Sequence, residues 1–264
     1  MTAENIDQVI SQLDDIIAAA RREKSRAGYF AALYRKVTVK VKEGIAAGRF
    51  EDGPRMEKLD VIFANRYLEA WEQFRQGQTP SQCWRYSFET VANGQALILQ
   101  HLLLGMNAHI NLDLGIAAAQ ACPGEQHSAL KHDFDEINNV LASLLDEVQR
   151  EVGAVSPLFG WMDWVAGRSD EAICNFSMTK ARNAAWQASI RLAAMTAPQQ
   201  AAEIAQQDKV VTALSRVIYN RRMIFHPLFL IIRLAEARDA GKVIDVLGSD
   251  RPKGRAAQGK PGRP

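Results

Sequence analysis

Residues 101–115, HLLLGMNAHINLDLG, set two histidines, two asparagines and an aspartate into an otherwise apolar stretch. On a regular helix His101, Gly105, His109 and Asp113 fall four apart and form one slowly drifting ridge. Ile98 and Leu102 flank that ridge, which therefore points inward. Asn107 and Asn111, also four apart, fall on nearly the opposite face. With both faces buried, this is a central helix surrounded by others. His109 and Asp113 are neighbours at i and i+4. His101 lies about 12 Å from His109 along the axis, at about 1.5 Å per residue, so the two do not share one ion on a straight helix. Gly105 leaves room on the ridge for a ligand or a close neighbour.

Outward from this segment the chain keeps helical spacing. Ile6, Val9, Ile10, Leu13, Ile16 and Ile17 form one amphipathic stripe, with Asn5 and Gln8 as a capping box. A second helix runs from about Ala27 to Gly48, and a third follows Pro54. Thr79, Pro80 and Gln82 restart the chain with a cap and a first-turn proline, and the helix they open is expected to run on through Ile98 and Leu102. Further helices carry Leu130 to Val152, the Ala-rich stretch around Trp186, and Ile204 to Ile218. Trp161 and Trp164 are expected to plug a gap from a loop, and Ser169, Asp170 and Glu171 to open a helix. No strand alternation and no internal repeat is visible. The expectation is a single all-α domain, a bundle of about eight or nine helices over 1–248 with a central polar-lined helix, then a disordered basic tail, 249–264, rich in Pro and Gly.

Composition narrows the function classes. Of 264 residues, 47% are hydrophobic and 23% charged, and the net charge is +2. The tail supplies Arg251, Lys253, Arg255, Lys260 and Arg263, so the folded body is slightly acidic and has no nucleic-acid footprint. The first ten residues lack the pattern of a secretory signal. No apolar run approaches the roughly 18 residues of a membrane span. Three isolated cysteines, Cys83, Cys122 and Cys174, argue against a disulfide framework and fit a reducing cytoplasm. His127 and His132, beside the 122–126 turn, are expected at the surface.

The candidate chemistry lies in polar residues on apolar stripes. Asp60 sits among Met56, Leu59 and Phe63, Asn138 among Phe134, Ile137 and Leu141 with Asp135 nearby, and His226 at the Pro227 break. A buried carboxylate needs a cation, metal or proton beside it, and Arg66 and Arg182 are the cations within the stripes. One reading brings His109, Asp113, Asp135, Asp60 and His226 together as ligands of zinc, iron or manganese, for hydrolysis or iron-based oxidation. His101, Asn107, Asn111 and Asn138 then form a hydrogen-bond network. The other reading makes the whole polar cluster structural, in a non-catalytic module that binds an apolar small molecule or a protein. Walker, GxGxxG, HExxH and GxSxG motifs are missing, and so is the paired Glu-x-x-His of di-iron bundles.

The segments RMEKLDVIFANRYLEAW (55–71), QHLLLGMNAHINLDLGIA (100–117) and HDFDEINNVL (132–141) together resemble a family of bacterial all-helical proteins of unknown function, with NAHINLDL the most specific part. The resemblance covers about residues 27 to 234. It implies a fold unit and assigns no reaction.

Overall fold

In the computed structural model, residues 2–93, 95–157, 178–220 and 226–249 are described. The Trp161–Trp164 loop, the helix start at Ser169, Cys174 and residues 250–264 of the basic tail lie outside them, as does the side chain of His226. Among the described residues every regular element is helical: α1 (Ile6–Glu23), α2 (Gly28–Ala46), α3 (Gly53–Arg75), α4 (Gln82–Asn93), α5 (Ile98–Ala108), a π-turn (His109–Asp113), α6 (Leu114–Ala121), a 3-10 segment (Gly124–Leu130), α7 (Lys131–Val155), α8 (Met178–Ala193), α9 (Ala197–Asn220), α10 (His226–Ala235) and α11 (Ala240–Leu247). The chain is an all-α, single-domain helical bundle.

The axis of the bundle is the continuous rod of α5, the π-turn and α6. Helices α2, α3, α4, α8 and α9 pack around it, and α4 and α9 also pack on one another. Nearly every residue of the rod is buried. It is long and apolar enough to cross a membrane by length and composition, contrary to the expectation that no run approaches that length; 89% of its most apolar window is covered by the rest of the protein. The isolated polar residues had masked its average hydropathy.

Two glycines set how closely the neighbours approach. A Cβ on Gly105 would stand 2.5 Å from the Phe30 ring, so the room on the ridge is filled by α2. A Cβ on Gly115 would stand 2.9 Å from the Ala185 carbonyl, so α6 and α8 touch nearly backbone to backbone.

Helix starts are tied down locally and from a distance. Asn5 accepts from Gln8 N (2.9 Å) and Asp52 from Arg55 N (2.9 Å), as N-caps do. The cap of α4 is not Thr79: the α9 carboxylate of Asp208 receives Gln82 N (2.7 Å) and Cys83 N (2.9 Å). Glu236 likewise receives Ile98 N at the start of α5 (3.0 Å), and Asp133 receives Glu51 N (2.7 Å) and Asp52 N (3.2 Å) before α3. Buried acids thus satisfy helix-start amides of other segments, where the macrodipole also favours negative charge. The helix expected to run from Ser81 into the rod is instead two helices, ending at Asn93 and restarting at Ile98.

Candidate functional site

The rod departs from α geometry at the NAHINLDL segment. Leu114 N donates to His109 O, an i to i+5 bond, so residues 109–113 form a wide turn. Such turns are uncommon and concentrate at functional positions. His109 and Asp113, both buried, face one another across it.

Asp113 is the hub of the local electrostatics. Its Oδ1 receives Arg66 Nε from α3 at 2.8 Å, and its Oδ2 receives the Trp84 indole N–H from α4 at 2.7 Å. His109 Nδ1 lies 3.5 Å from the same Oδ2. Burial alone would raise the Asp113 carboxyl, but Arg66, His109 and Trp84 together hold it below the usual carboxylate range, so it is an anion at neutral pH. Burial lowers His109 and Asp113 only partly restores it, so the imidazole is neutral. A neutral ring that keeps its proton on Nδ1, toward the carboxylate, presents a bare lone pair at Nε2. Nε2 is buried and has no hydrogen-bond partner among the described residues.

The His109 ring is fixed by aromatic packing. Phe63 stacks on it with centroids 3.6 Å apart and planes 10° from parallel, and Tyr34 meets it edge-on at 4.4 Å. Phe30, Tyr67 and Trp84 complete the surround at 5.7 to 6.3 Å.

Beside His109 lies a cavity of about 450 Å³ between α2, α3, the rod, α7 and α8. Its wall is almost entirely apolar, with contributions from Leu33, Val37, Leu103, Met106 and Leu141. The polar exceptions are His109, Tyr34, Asp60, Asn138, Thr179 and Arg182. Leu145, on the same wall, is 54% exposed and marks where the cavity meets the surface. Three wall atoms are buried without a hydrogen-bond partner among the described residues: His109 Nε2, the Tyr34 hydroxyl and Asp60 Oδ2. Thr38 Oγ1 donates instead to the Tyr34 carbonyl (3.1 Å). Burial, helped by the charge of Glu57, pushes the Asp60 carboxyl up to about 7. Burial and the nearby Asp60 also raise the Tyr34 phenol.

The sequence candidates disperse over several places. Asp60 lines the cavity without the arginine expected for it, because Arg66 is committed to Asp113. Asp135 makes an ion pair with Lys131 on the outer face of α7, its side chain 47% exposed. Of His226 only the helical backbone is described. Among the described residues, Asp60, His109, Asp113 and Asp135 form no group with three ligand atoms at metal spacing. The group that does, Glu51, His132 and Asp133, is built on Asp133, whose oxygens already accept two backbone amides and Arg55 Nη2 (2.7 Å).

The four residues read as one network occupy three separate places. Asn107 donates to Val211 O (3.0 Å) and Ser215 Oγ (2.9 Å), and accepts from Asn111 (2.9 Å), so this pair ties the rod to α9. Asn138 accepts from Arg182 Nε (2.7 Å) at the cavity. His101 packs edge-on against Tyr29 (5.8 Å), neither ring nitrogen has a hydrogen-bond partner among the described residues, and burial holds it down to about 3. His132 is at the surface as expected, but His127 is not. It is buried between the Cys122 carbonyl and Ser189 Oγ, each at 2.8 Å, and stacks on Trp186. Trp84, Tyr34 and Phe63 were not among the sequence candidates, because on their own helices they read as ordinary core.

A family model described as a family of unknown function (DUF5995) matches residues 6–221. The chain belongs to that family. The DUF5995 match spans α1 to α9 and so contains every cavity residue, while α10, α11 and His226 fall beyond it. No curated protein and no solved structure matches the chain.

Proposed function

We propose that this protein binds an apolar small molecule in the cavity beside His109 and reads its polar group with His109 Nε2, Tyr34 and Asp60. One observation carries the reading: an apolar cavity of about 450 Å³ holds on its wall three buried polar atoms that have no hydrogen-bond partner among the described residues. The volume falls in the range of about 300–1,000 Å³ that suits drug-sized ligands, as does a wall with few convergent polar groups. Buried polar atoms without partners cost on the order of 1–3 kcal/mol each, a cost a ligand group removes on binding.

The donors complement one another. His109 Nε2 accepts, the Tyr34 hydroxyl donates, and Asp60, with its carboxyl at about 7, does either near neutral pH. A ligand hydroxyl or carbonyl fits this set. Asp113 orients the imidazole, which makes His109 competent as a base toward a bound group. A transition metal on His109 and Asp113 has less support, since it would share the carboxylate with the Arg66 guanidinium.

Titration with Nile red, a neutral apolar dye that brightens on leaving water, tests the reading. Binding is expected in the wild type and is expected to be lost in Val37→Trp, which fills the cavity from α2. Metal content is measured on the same sample. Equal dye binding by a folded Val37→Trp overturns the proposal, and a stoichiometric transition metal lost in His109→Ala favours the metal reading.

A further inference from the structure

Arg182, on α8, is a buried cation in the cavity wall, only 3% exposed. Its hydrogen bonds go to neutral oxygens, Asn138 Oδ1 and the Phe134 carbonyl, and its guanidinium lies over the Phe134 ring at 4.5 Å. Among the described residues no carboxylate makes an ion pair with it. Asp135, the acid it feels, is turned to Lys131 at the surface. A buried charge without a counter-charge is costly. Burial pulls even this guanidinium down to about 10, so it remains charged at neutral pH.

Beyond the two bonds made by Nε and Nη2, further N–H donors of the planar fork have no partner among the described residues. The ring beneath and Asn138 beside it hold the fork in one orientation. From this we infer that the cavity takes an apolar monocarboxylic acid, with its carboxylate paired to Arg182 and its body along the apolar wall. The inference rests on the small-molecule reading above and gives that ligand a head group and a direction. The polar set around Asp60 cannot serve as the head-group site, because ionised Asp60 repels an anion. It receives the other end of the ligand, where a neutral hydroxyl or carbonyl meets Tyr34 and His109. Arg182 is on α8 and is held by Asn138 and Phe134 of α7, whereas Asp60 and His109 enter the wall from α3 and the rod, so the two polar regions belong to different helices.

A guanidinium–carboxylate pair is frequently bidentate and about twice as strong as a neutral hydrogen bond. A carboxylate is therefore preferred over the alcohol of the same length. The experiment is calorimetric titration of the full chain with octanoate, dodecanoate, tetradecanoate and naphthaleneacetate, each against its matching alcohol. In the wild type the carboxylates are expected to bind about ten- to a hundredfold tighter than the alcohols. In Arg182→Met that preference is expected to fall to about one while alcohol binding persists. If Arg182→Met does not fold, Arg182→Lys keeps the cation without the fork and is expected to retain a reduced preference. Equal binding of acids and alcohols by the wild type overturns the carboxylate site and leaves the apolar cavity standing. Binding of neither series, together with no Nile red binding, overturns both.

Discussion

Replacing Asp113 by alanine removes the acceptor that three helices share. The indole N–H of Trp84 is left fully buried and unpaired, a loss of about 1–3 kcal/mol. Arg66 loses its counter-charge; its side chain is 26% exposed, so it recovers part of its hydration. The His109 contact, at 3.5 Å, is the longest of the three, and the ring keeps its aromatic packing without it. Breaking a buried ion pair costs about 3–5 kcal/mol, and the partial exposure of Arg66 places this case near the lower end, about 3 kcal/mol. For a protein of this length that corresponds to a melting temperature roughly 6–12 °C lower. The measurement is urea unfolding followed by far-UV circular dichroism, wild type against Asp113→Ala, repeated as a function of pH. The folded carboxyl titrates below its unfolded value of 3.8, so its contribution is present above that pH and is lost as pH falls through the folded value. Wild type and variant are therefore expected to converge in acid. A loss below about 1 kcal/mol at neutral pH, in the range of an exposed pair, would refute the account of Asp113 as the hub.

Asp60→Asn is expected to change the pH dependence in the opposite sense. The folded carboxyl titrates near 7 against 3.8 unfolded, so its stabilising contribution is full below about pH 4 and is lost as pH rises through 7. The variant gains on the wild type by up to about 1.4 kcal/mol per pH unit over that window; parallel stability curves would contradict it. His101→Leu removes the reverse slope. With the imidazole held at about 3, neutral His101 loses its contribution as pH falls below its unfolded 6.5, so the variant is expected to resist mild acid better in urea melts. Gly115→Val meets the Ala185 carbonyl and should cost about 1–3 kcal/mol by overpacking, read by thermal unfolding. Asp208→Ala uncaps α4 from a distance and should cost about 0.5–2 kcal/mol, with hydrogen exchange accelerated at Gln82 and Cys83.

The helices were legible because each stripe of apolar residues repeats every three or four positions, and the rod was legible as central because polar residues interrupt both its faces. His109 and Asp113 announced themselves by the same spacing. Their partners did not. Trp84 has the apolar body of any core tryptophan, and nothing local says that its N–H reaches another helix. Arg66 was named as a cation for a buried acid, but which acid depended on how α3 lies against the rod. Asp208, Glu236 and Asp133 look like ordinary surface acids in the sequence and receive the backbone amides of other segments only after long-range packing. The π-turn has no residue signature here. The cavity is space that side chains on five separate segments fail to fill, and such an absence has no pattern along one segment.

The rod also bears on how the chain is made. By the time Ala121 has been synthesised, α1 to α4 are available to cover one flank of a 24-residue segment of bilayer-spanning length. The covering contributed by α8 and α9 comes from residues 178–220, still unmade. Until then the segment resembles a membrane anchor to the machinery that sorts nascent chains. An aspartate near the middle of such a segment opposes bilayer insertion by about 2.5–3.5 kcal/mol, and Asp113, with the histidines and asparagines around it, bears that cost. The residues that furnish the interior of the finished protein therefore also lower the affinity of its most apolar segment for a bilayer before that segment is wrapped.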